Sequence, residues 1–138
     1  MRYVGIDYGA KRMGMAVGDD EMRIATPRRV VLRENDVQVI GEVVAIIRQE
    51  QAEKIIMGLP LAHDGSETDE SREVRAFARK LKEKTDMPIE FENEIFTTRM
   101  ASHGGVKKED KDAASAAIIL QSYLDRKQHE TSNTKQGE

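Results

Sequence analysis

The chain of 138 residues contains no cysteine, which excludes disulfide bonds, zinc–thiolate sites and thiol nucleophiles. It also lacks any run approaching the roughly 20 apolar residues needed to span a bilayer. Its first residues lack the basic region, apolar stretch and small-residue cleavage site of a leader peptide. These absences, with 38% hydrophobic and 34% charged residues, predict one soluble domain, which we expect to be cytoplasmic.

A large excess of positive charge is also missing, since the net charge is -3 and the isoelectric point is near 5.7. A general polyanion binder would be basic overall, so any contact with nucleic acid has to use a local patch. Each single cation, taken alone, is better explained as a solvated surface charge. The candidate cations are Lys11, Arg12, Arg28, Arg29, Arg99, Lys107, Lys108 and Lys111.

The most informative segment is the start of the chain, where a short apolar strand ends in Asp7. The chain then turns through Gly9 with two cations, Lys11 and Arg12, and returns as a second apolar strand, which predicts a β-hairpin with a longer loop. An acid at the end of a buried strand is costly unless it is solvated, paired or bound to a metal. Metal-ion chemistry on phosphates therefore explains Asp7 best, and stabilisation of the hairpin turn is the alternative.

The rest of the pattern predicts alternating strands and helices, and hence an α/β fold. We expect a mixed sheet of about five strands, an antiparallel meander followed by alternating strands and helices, flanked by helices. Residues 1–127 form one domain in this prediction, and residues 128–138 form a polar, disordered tail. Pro27 indicates an edge position or a bulge for the third strand. The predicted strands are residues 2–7, 13–18, part of 24–32, 54–59 and 88–93. Three predicted helices begin after a capping residue: Asn35, with Gln38 completing a capping box; Ser66 or Thr68; and Thr97 or Thr98. The last predicted helix runs from Asp112 to about Lys127.

Three acids occupy positions that such a fold can bring together. Asp7 ends the first strand, Glu94 follows the last strand, and Asp112 begins the last helix. Sites in open α/β sheets form at the carboxyl ends of strands, and carboxylates are the ligands that Mg²⁺ and Mn²⁺ prefer. Two such ions about 4 Å apart can activate a water and stabilise the leaving oxygen in phosphodiester cleavage. The alternatives are an exposed edge charge for Glu94 and a helix N-cap for Asp112.

His63, in a loop without a second histidine, is better explained as polar surface than as a base or a metal ligand.

Four segments at compatible spacing form one larger pattern. They are Gly5-Ile6-Asp7-Tyr8-Gly9 with Lys11-Arg12 and Gly14, Gly58-Leu59-Pro60-Leu61 with Asp64-Gly65-Ser66, Glu94 with Thr97-Thr98, and Asp112-Ala113-Ala114 followed by residues 118–124. Together they resemble the YqgF family of Holliday junction resolvases and pre-16S ribosomal RNA nucleases, within the ribonuclease H-like superfamily. The resemblance covers about residues 1–126.

The resemblance implies a metal-dependent nuclease in which Asp7, Glu94 and Asp112 form an acidic triad that binds Mg²⁺ or Mn²⁺, with a two-metal-ion site. It also implies a bacterial, cytoplasmic protein that matures the 5′ end of precursor 16S ribosomal RNA, with structured nucleic acid and the pre-ribosomal particle as partners. The expected nucleic-acid contacts are Lys11, Arg12, Arg99, Lys107 and Lys108.

The chain departs from the family pattern beside Glu94, where Asn93 and Ile95 replace the usual aspartate and arginine. The segment between Glu94 and Asp112 is also shorter and less basic than in the family, and the fourth strand ends without a carboxylate. Two other functions stay open. One is a Holliday junction resolvase, which cuts two strands symmetrically and should dimerise. The other is a non-catalytic module that binds RNA or a transcription factor.

Overall fold

A computed structural model describes the backbone of residues 1–94 and 108–136 and the side chains of residues 1–94 and 113–128. Within those residues the order of elements is β1-β2-β3-α1-β4-α2-β5-α3, which confirms the predicted α/β class. The strands are β1 (Arg2–Tyr8), β2 (Arg12–Asp19), β3 (Thr26–Leu32), β4 (Lys54–Leu59) and β5 (Ile89–Asn93), and the helices are α1 (Asp36–Glu50), α2 (Asp69–Thr85) and α3 (Lys108–Gln136).

The strands form one mixed sheet in the order β3-β2-β1-β4-β5. The β1/β2 and β2/β3 pairs are antiparallel, whereas the β1/β4 and β4/β5 pairs are parallel. A meander followed by parallel strands is the predicted arrangement. Because β1, β4 and β5 run in the same direction, their carboxyl ends lie together at one edge of the sheet.

The position of Pro27 agrees with the sequence prediction. Strand β3 lies at the edge of the sheet, and its register with β2 shifts where Met15 pairs with Arg29 and Ala16 pairs with Pro27. Proline cannot donate to a ladder of hydrogen bonds, so it is tolerated at an edge or a bulge.

The helix caps explain where α1 and α2 begin. The Asn35 side chain accepts a hydrogen bond from the backbone N–H of Gln38 at 2.9 Å. The predicted capping box is wrong in one detail, because the Gln38 side chain accepts from the N–H of Glu34, at 3.1 Å, rather than from that of the N-cap residue. Thr68 caps α2, and Thr68 and Ser71 each accept from the other's backbone N–H, at 3.0 and 2.8 Å.

The sheet separates two hydrophobic cores. Because side chains alternate along a strand, Val4 and Ile6 of β1 pack against α1 and α2, whereas Tyr3 packs against α3. The larger core contains Met13, Met15, Val43, Ile47, Phe77 and Leu81, and the smaller core contains Tyr3, Ile56, Ala116, Ile119, Leu120, Tyr123 and Leu124.

Helix α3 crosses the second face of the sheet antiparallel to β1. Near the start of β1, the Tyr3 ring meets the Tyr123 ring with centroids 5.4 Å apart. Two residues further along, a Cβ on Gly5 would lie 2.8 Å from the Cβ of Leu120 and 3.0 Å from the carbonyl oxygen of Ala116. The absence of a side chain at Gly5 therefore lets α3 approach closely, and the N-terminal half of α3 lies toward the carboxyl end of β1.

The bounds of α3 differ from the prediction. The helix begins at Lys108 rather than Asp112 and runs to Gln136 rather than Lys127, which covers most of the segment predicted as a polar tail. Apolar periodicity marks only the segment that packs on the sheet, so the polar residues before Asp112 and after Lys127 carry no such signal. The predicted short helix after Thr97 or Thr98 lies outside the described residues. No helix in the described part of the chain is long and apolar enough to cross a membrane.

Candidate active site

The parallel strands bring Asp7 and Glu94 to the same edge of the sheet. Ile6 of β1 pairs with Met57 of β4, so Asp7 lies next to Gly58, and Gly58 in turn pairs with Glu92 of β5. Glu94 follows β5 directly. The sequence predicted that both acids emerge at the carboxyl ends of strands. Ligand sites in open α/β sheets form at such positions.

Both acids belong to the sheet face that α3 covers. Side chains two residues apart in a strand share a face, so Asp7 lies on the same face as Tyr3 and Gly5 of β1. Glu94 lies two residues after Glu92, whose carboxylate forms an ion pair with Arg126 of α3. Gly58 of β4 lies between them and contributes no side chain. A Cβ on Gly58 would lie only 2.5 Å from Oε1 of Glu94. The Glu94 carboxylate therefore occupies the space above Gly58 and reaches across β4 toward β1.

The side chains of Asp7 and Glu94 are hydrogen-bonded to each other. Two carboxyl groups can hydrogen-bond only when they share a proton. Burial raises the pKa of Glu94; the hydrogen bond with Asp7 acts in the opposite direction, and the negative charge of Glu70 adds to the rise. Two half-buried carboxyl groups in contact disfavour double ionisation, and a bound cation would relieve that cost.

Helix α2 adds two acids that sequence reasoning missed. Glu70 and Glu73 line the same cleft as Asp7 and Glu94, a cleft of about 320 Å³ that also includes the hairpin at Gly9. Both glutamates stand in the first turns of a capped helix, where the helix dipole favours acids. The sequence therefore gives no signal that separates a capping role from a site role. Among the described residues, no three acidic or histidine side chains are close enough to share one metal ion.

The third predicted acid, Asp112, is described only at its backbone. It lies inside α3, four residues after the first helical residue, Lys108. The prediction that Asp112 begins the helix is therefore wrong, and so is the N-cap alternative for it. In an α-helix, positions four and seven residues apart share a face, so Asp112 shares a face with Ala116 and Ile119, which are buried against the sheet.

The predicted cations are distributed unevenly. Lys11 is exposed in the β1–β2 hairpin that borders the cleft, and Arg12 begins β2 and is half-buried. Arg28 and Arg29 lie on β3 and form ion pairs with carboxylates of α1, at 2.8 and 2.9 Å. Of the others, Arg99 and Lys107 lie outside the described residues, whereas Lys108 and Lys111 are described only at the backbone. His63 is exposed and does not line the cleft.

Arg33 is a further cation near the cleft. Its guanidinium lies 4.6 Å from the centre of the Tyr8 ring and donates to the carbonyl oxygen of Gly9 at 3.5 Å and to Asp36 at 3.1 Å. These contacts fix the hairpin that borders the cleft. Burial raises the pKa of the Tyr8 hydroxyl, and the charge of Arg33 acts in the opposite direction.

The strand order, the helices on both faces and the carboxylates at the ends of β1 and beyond β5 define an α/β protein of the ribonuclease H-like class. The structure of Thermus thermophilus RuvC in complex with a Holliday junction substrate is similar, with a TM-score of 0.61 and 14% identity over 94% of this chain and 96% of that one. The fowlpox virus Holliday junction resolvase gives a TM-score of 0.56 with 10% identity over 91% of this chain and 99% of that one.

The chain belongs to the RuvX family, whose model, described as "RuvX: Holliday junction resolvase", matches residues 1–126. A protein of Nitratidesulfovibrio vulgaris named "Putative pre-16S rRNA nuclease" is 36% identical over 90% of this chain and 93% of its own length. A protein of Anaplasma marginale with the same name is 39% identical over 90% of this chain and 84% of its own length. The resemblance to the YqgF family of Holliday junction resolvases and pre-16S ribosomal RNA nucleases is therefore confirmed. The predicted enzyme class, a nuclease, is confirmed as well.

Proposed function

We propose that this protein is a metal-dependent endonuclease that cleaves structured RNA, and that it matures the 5′ end of precursor 16S ribosomal RNA. The observation that carries the chemistry is the contact of the Asp7 and Glu94 carboxyl groups above Gly58. The curated relatives named for pre-16S rRNA support the substrate, since they match at 36% and 39% identity over 90% of the chain. We expect the pre-ribosomal particle to present that substrate.

The donor set fits a divalent cation. Asp7 and Glu94 offer carboxylate oxygens, the ligands that Mg²⁺ and Mn²⁺ prefer, and a cation bound by both would offset the cost of holding two negative charges close together. Asp112 is the proposed third ligand. Helix α3 runs antiparallel to β1, and the seven residues from Ile119 back to Asp112 add about 10 Å of helix toward the site. A bound Mg²⁺ or Mn²⁺ would supply Lewis-acid stabilisation of the phosphodiester and an activated water.

The protein's own residues then divide the remaining tasks. Asp7 of β1 and Glu94, which directly follows β5, would hold the cation from two different parts of the sheet. Glu70 and Glu73 increase the negative potential of the cleft and so concentrate cations there. Lys11 and Arg12, with Arg99, Lys107 and Lys108, are proposed to hold the phosphates of the substrate.

The experiment compares cleavage of end-labelled precursor 16S RNA and of a four-way DNA junction, each with Mg²⁺ or Mn²⁺. Asp7→Asn should abolish cleavage and leave the fold intact, because the amide keeps the shape and loses the charge. Asp86→Asn is the matched control, since Asp86 ends α2 in a left-handed conformation, with φ of 55°, that asparagine also adopts.

Cleavage of the RNA alone, lost only in Asp7→Asn, supports the proposal. Cleavage of the junction alone would assign the site to resolution of branched DNA, which the family description favours and which requires a dimer on the junction. If neither substrate is cut and RNA still binds without metal, the protein is a binding module. Full activity in Asp7→Asn would contradict the mechanism itself.

A further inference from the structure

A second concave surface lies between helix α2 and strand β5, beside the candidate active site. Three cations line it, Arg75, Arg79 and Lys82, and its apolar floor includes Ile89 and Phe91. Among the described residues that line this groove, none is acidic. This groove, which we call the α2–β5 groove, therefore combines positive walls with an apolar floor in a protein whose net charge is -3.

Two of the three cations are available for a ligand. Arg75 is held by Glu67, at 2.6 and 3.2 Å, and its guanidinium lies 5.1 Å from the centre of the Phe91 ring. Lys82 donates only to backbone carbonyl oxygens, 3.1 Å from that of Met87. Arg79 is exposed. In the described part of the chain, neither Arg79 nor Lys82 forms an ion pair.

The groove runs toward the candidate active site, since Arg75 of the groove directly follows Val74, which lines the active-site cleft. Strand β5 forms one side, and Glu94 follows its carboxyl end, so Phe91 is about 10 Å and Ile89 about 16 Å from Glu94 along the strand. Helix α2 forms the other side, and its first turns bring Glu70 into the active-site cleft. One helix therefore presents acids to the cleft and cations to the groove.

We propose that the α2–β5 groove binds the single-stranded segment of nucleic acid that flanks the bond to be cut. Arg79 and Lys82 contact its phosphates, while its sugars and bases pack on the apolar floor. From Arg75 to Lys82 the helix rises about 10 Å, so the groove has room for a few nucleotides of a single strand. The identity of the ligand rests on the proposed nuclease function. An acidic protein segment would also match the charges of the groove, but it would not account for a groove that runs toward the active-site cleft.

The test measures binding of a short, unstructured, fluorescein-labelled RNA to the full chain by fluorescence anisotropy, in EDTA and in the Asp7→Asn background. The variant Arg79→Gln/Lys82→Gln removes two cations from the groove. The control Arg72→Gln/Lys84→Gln removes two exposed cations of the same helix that do not line it. Thermal unfolding of each protein checks the fold, and Arg79→Gln alone serves if the double variant is unstable.

In a plot of the logarithm of the RNA association constant against the logarithm of the salt concentration, the loss of two phosphate contacts should reduce the steepness of the slope by about 1.4. At about 0.1 M salt, the same loss should weaken binding roughly 20-fold. The control should change binding no more than about twofold, as expected for exposed, screened charges that do not line the groove. Equal weakening in both double variants, or none in either, would overturn the proposal. So would displacement of the RNA by an oligoglutamate peptide at equal charge concentration, which would identify the groove as a site for acidic protein.

This experiment separates the two proposals. If wild type cleaves no substrate but binding is lost only in the groove variant, the groove is confirmed and the nuclease function fails. If wild type cleaves RNA and the groove variant binds like the control, the function stands and the groove is refuted.

Discussion

Gly58 provides the space that the Glu94 carboxylate occupies: a Cβ on Gly58 would lie 2.5 Å from Oε1 of Glu94 and 2.6 Å from Cδ1 of Ile119. The fourth strand has no carboxylate at its end, which the sequence marked as a departure from related enzymes. The structure explains this departure. Because Gly58 of β4 has no side chain, Glu94, which follows β5, reaches across β4 to Asp7 of β1.

Gly58→Ala should therefore reduce cleavage much more than stability. Both crowded atoms are the ends of flexible side chains, so they can move at a cost of about 1 kcal/mol. The Glu94 carboxylate would move by about 1 Å, which is enough to lower kcat roughly 100-fold. Single-turnover cleavage and thermal unfolding measure the two effects.

Gly41→Ala is the matched control, because nothing lies within 4 Å of a Cβ at this position in α1. It should leave cleavage unchanged and stabilise the fold by about 0.5–1 kcal/mol, the usual gain for alanine over glycine in a helix. If both variants lose activity alike, crowding of Glu94 is not the cause.

Glu94→Gln should stabilise the metal-free protein at neutral pH while it abolishes cleavage. Burial raises the pKa of Glu94 in the folded protein. Once the pH exceeds the ordinary pKa of a glutamate, ionisation of Glu94 therefore favours the unfolded chain, and the neutral amide of glutamine removes that cost. We expect the Tm in EDTA to rise by about 3 °C. Added Mn²⁺ should raise the Tm of wild type more than that of the variant, since ligand binding stabilises only the form that binds.

Glu92→Gln is the control for this prediction. Glu92 lies two residues earlier on the same face, is 3% exposed and accepts from Arg126 at 2.7 and 3.1 Å. Its charge is paired, so the amide should lower the Tm by weakening that contact. A lower Tm for Glu94→Gln as well would show that the Glu94 charge is compensated in the folded protein.

Gly5→Ala should destabilise the fold by about 2 kcal/mol. The new Cβ would lie 2.8 Å from the Cβ of Leu120 and 3.0 Å from the carbonyl oxygen of Ala116. Neither atom can move without displacing the backbone of α3. Denaturant unfolding measures the loss, and an unchanged free energy of unfolding would show that α3 is less closely packed than described.

Acid should remove one stabilising contact of α1. Lys80 lowers the pKa of Asp36 because its ammonium donates a hydrogen bond to the carboxylate at 2.7 Å, and Arg33 donates a second at 3.1 Å. A lowered pKa adds stability that is present above the unfolded value of 3.8 and is lost as the pH falls through the folded value. Asp36→Asn should cost about 1 kcal/mol or less at pH 7, and progressively less as the pH falls through the folded pKa of Asp36. Parallel unfolding curves for wild type and Asp36→Asn over that range would contradict this assignment.

Much of the fold could be predicted because its signals are local. Short apolar runs bounded by turn residues identified β1, β2 and β4 nearly to the residue, and Asn35 and Thr68 cap the helices as their side chains suggest. The start of α3 could not be predicted, because the charged residues before Ala113 carry no apolar stripe.

The local sequence by itself determined the strands, the hairpin and the presence of single acids where β1 ends and β5 has just ended. Only the tertiary structure decided that these acids meet. Residues 7 and 94 are far apart in the chain, and their contact depends on the parallel pairing of β1 and β5 with β4 and on an empty position at Gly58. The roles of Glu70 and of the cations of α2 were equally hidden, because a helix shows the same charge pattern whether it faces water or a cleft. Local propensity acts over a few residues, whereas a site is defined by which distant side chains the packing of the sheet and helices brings together.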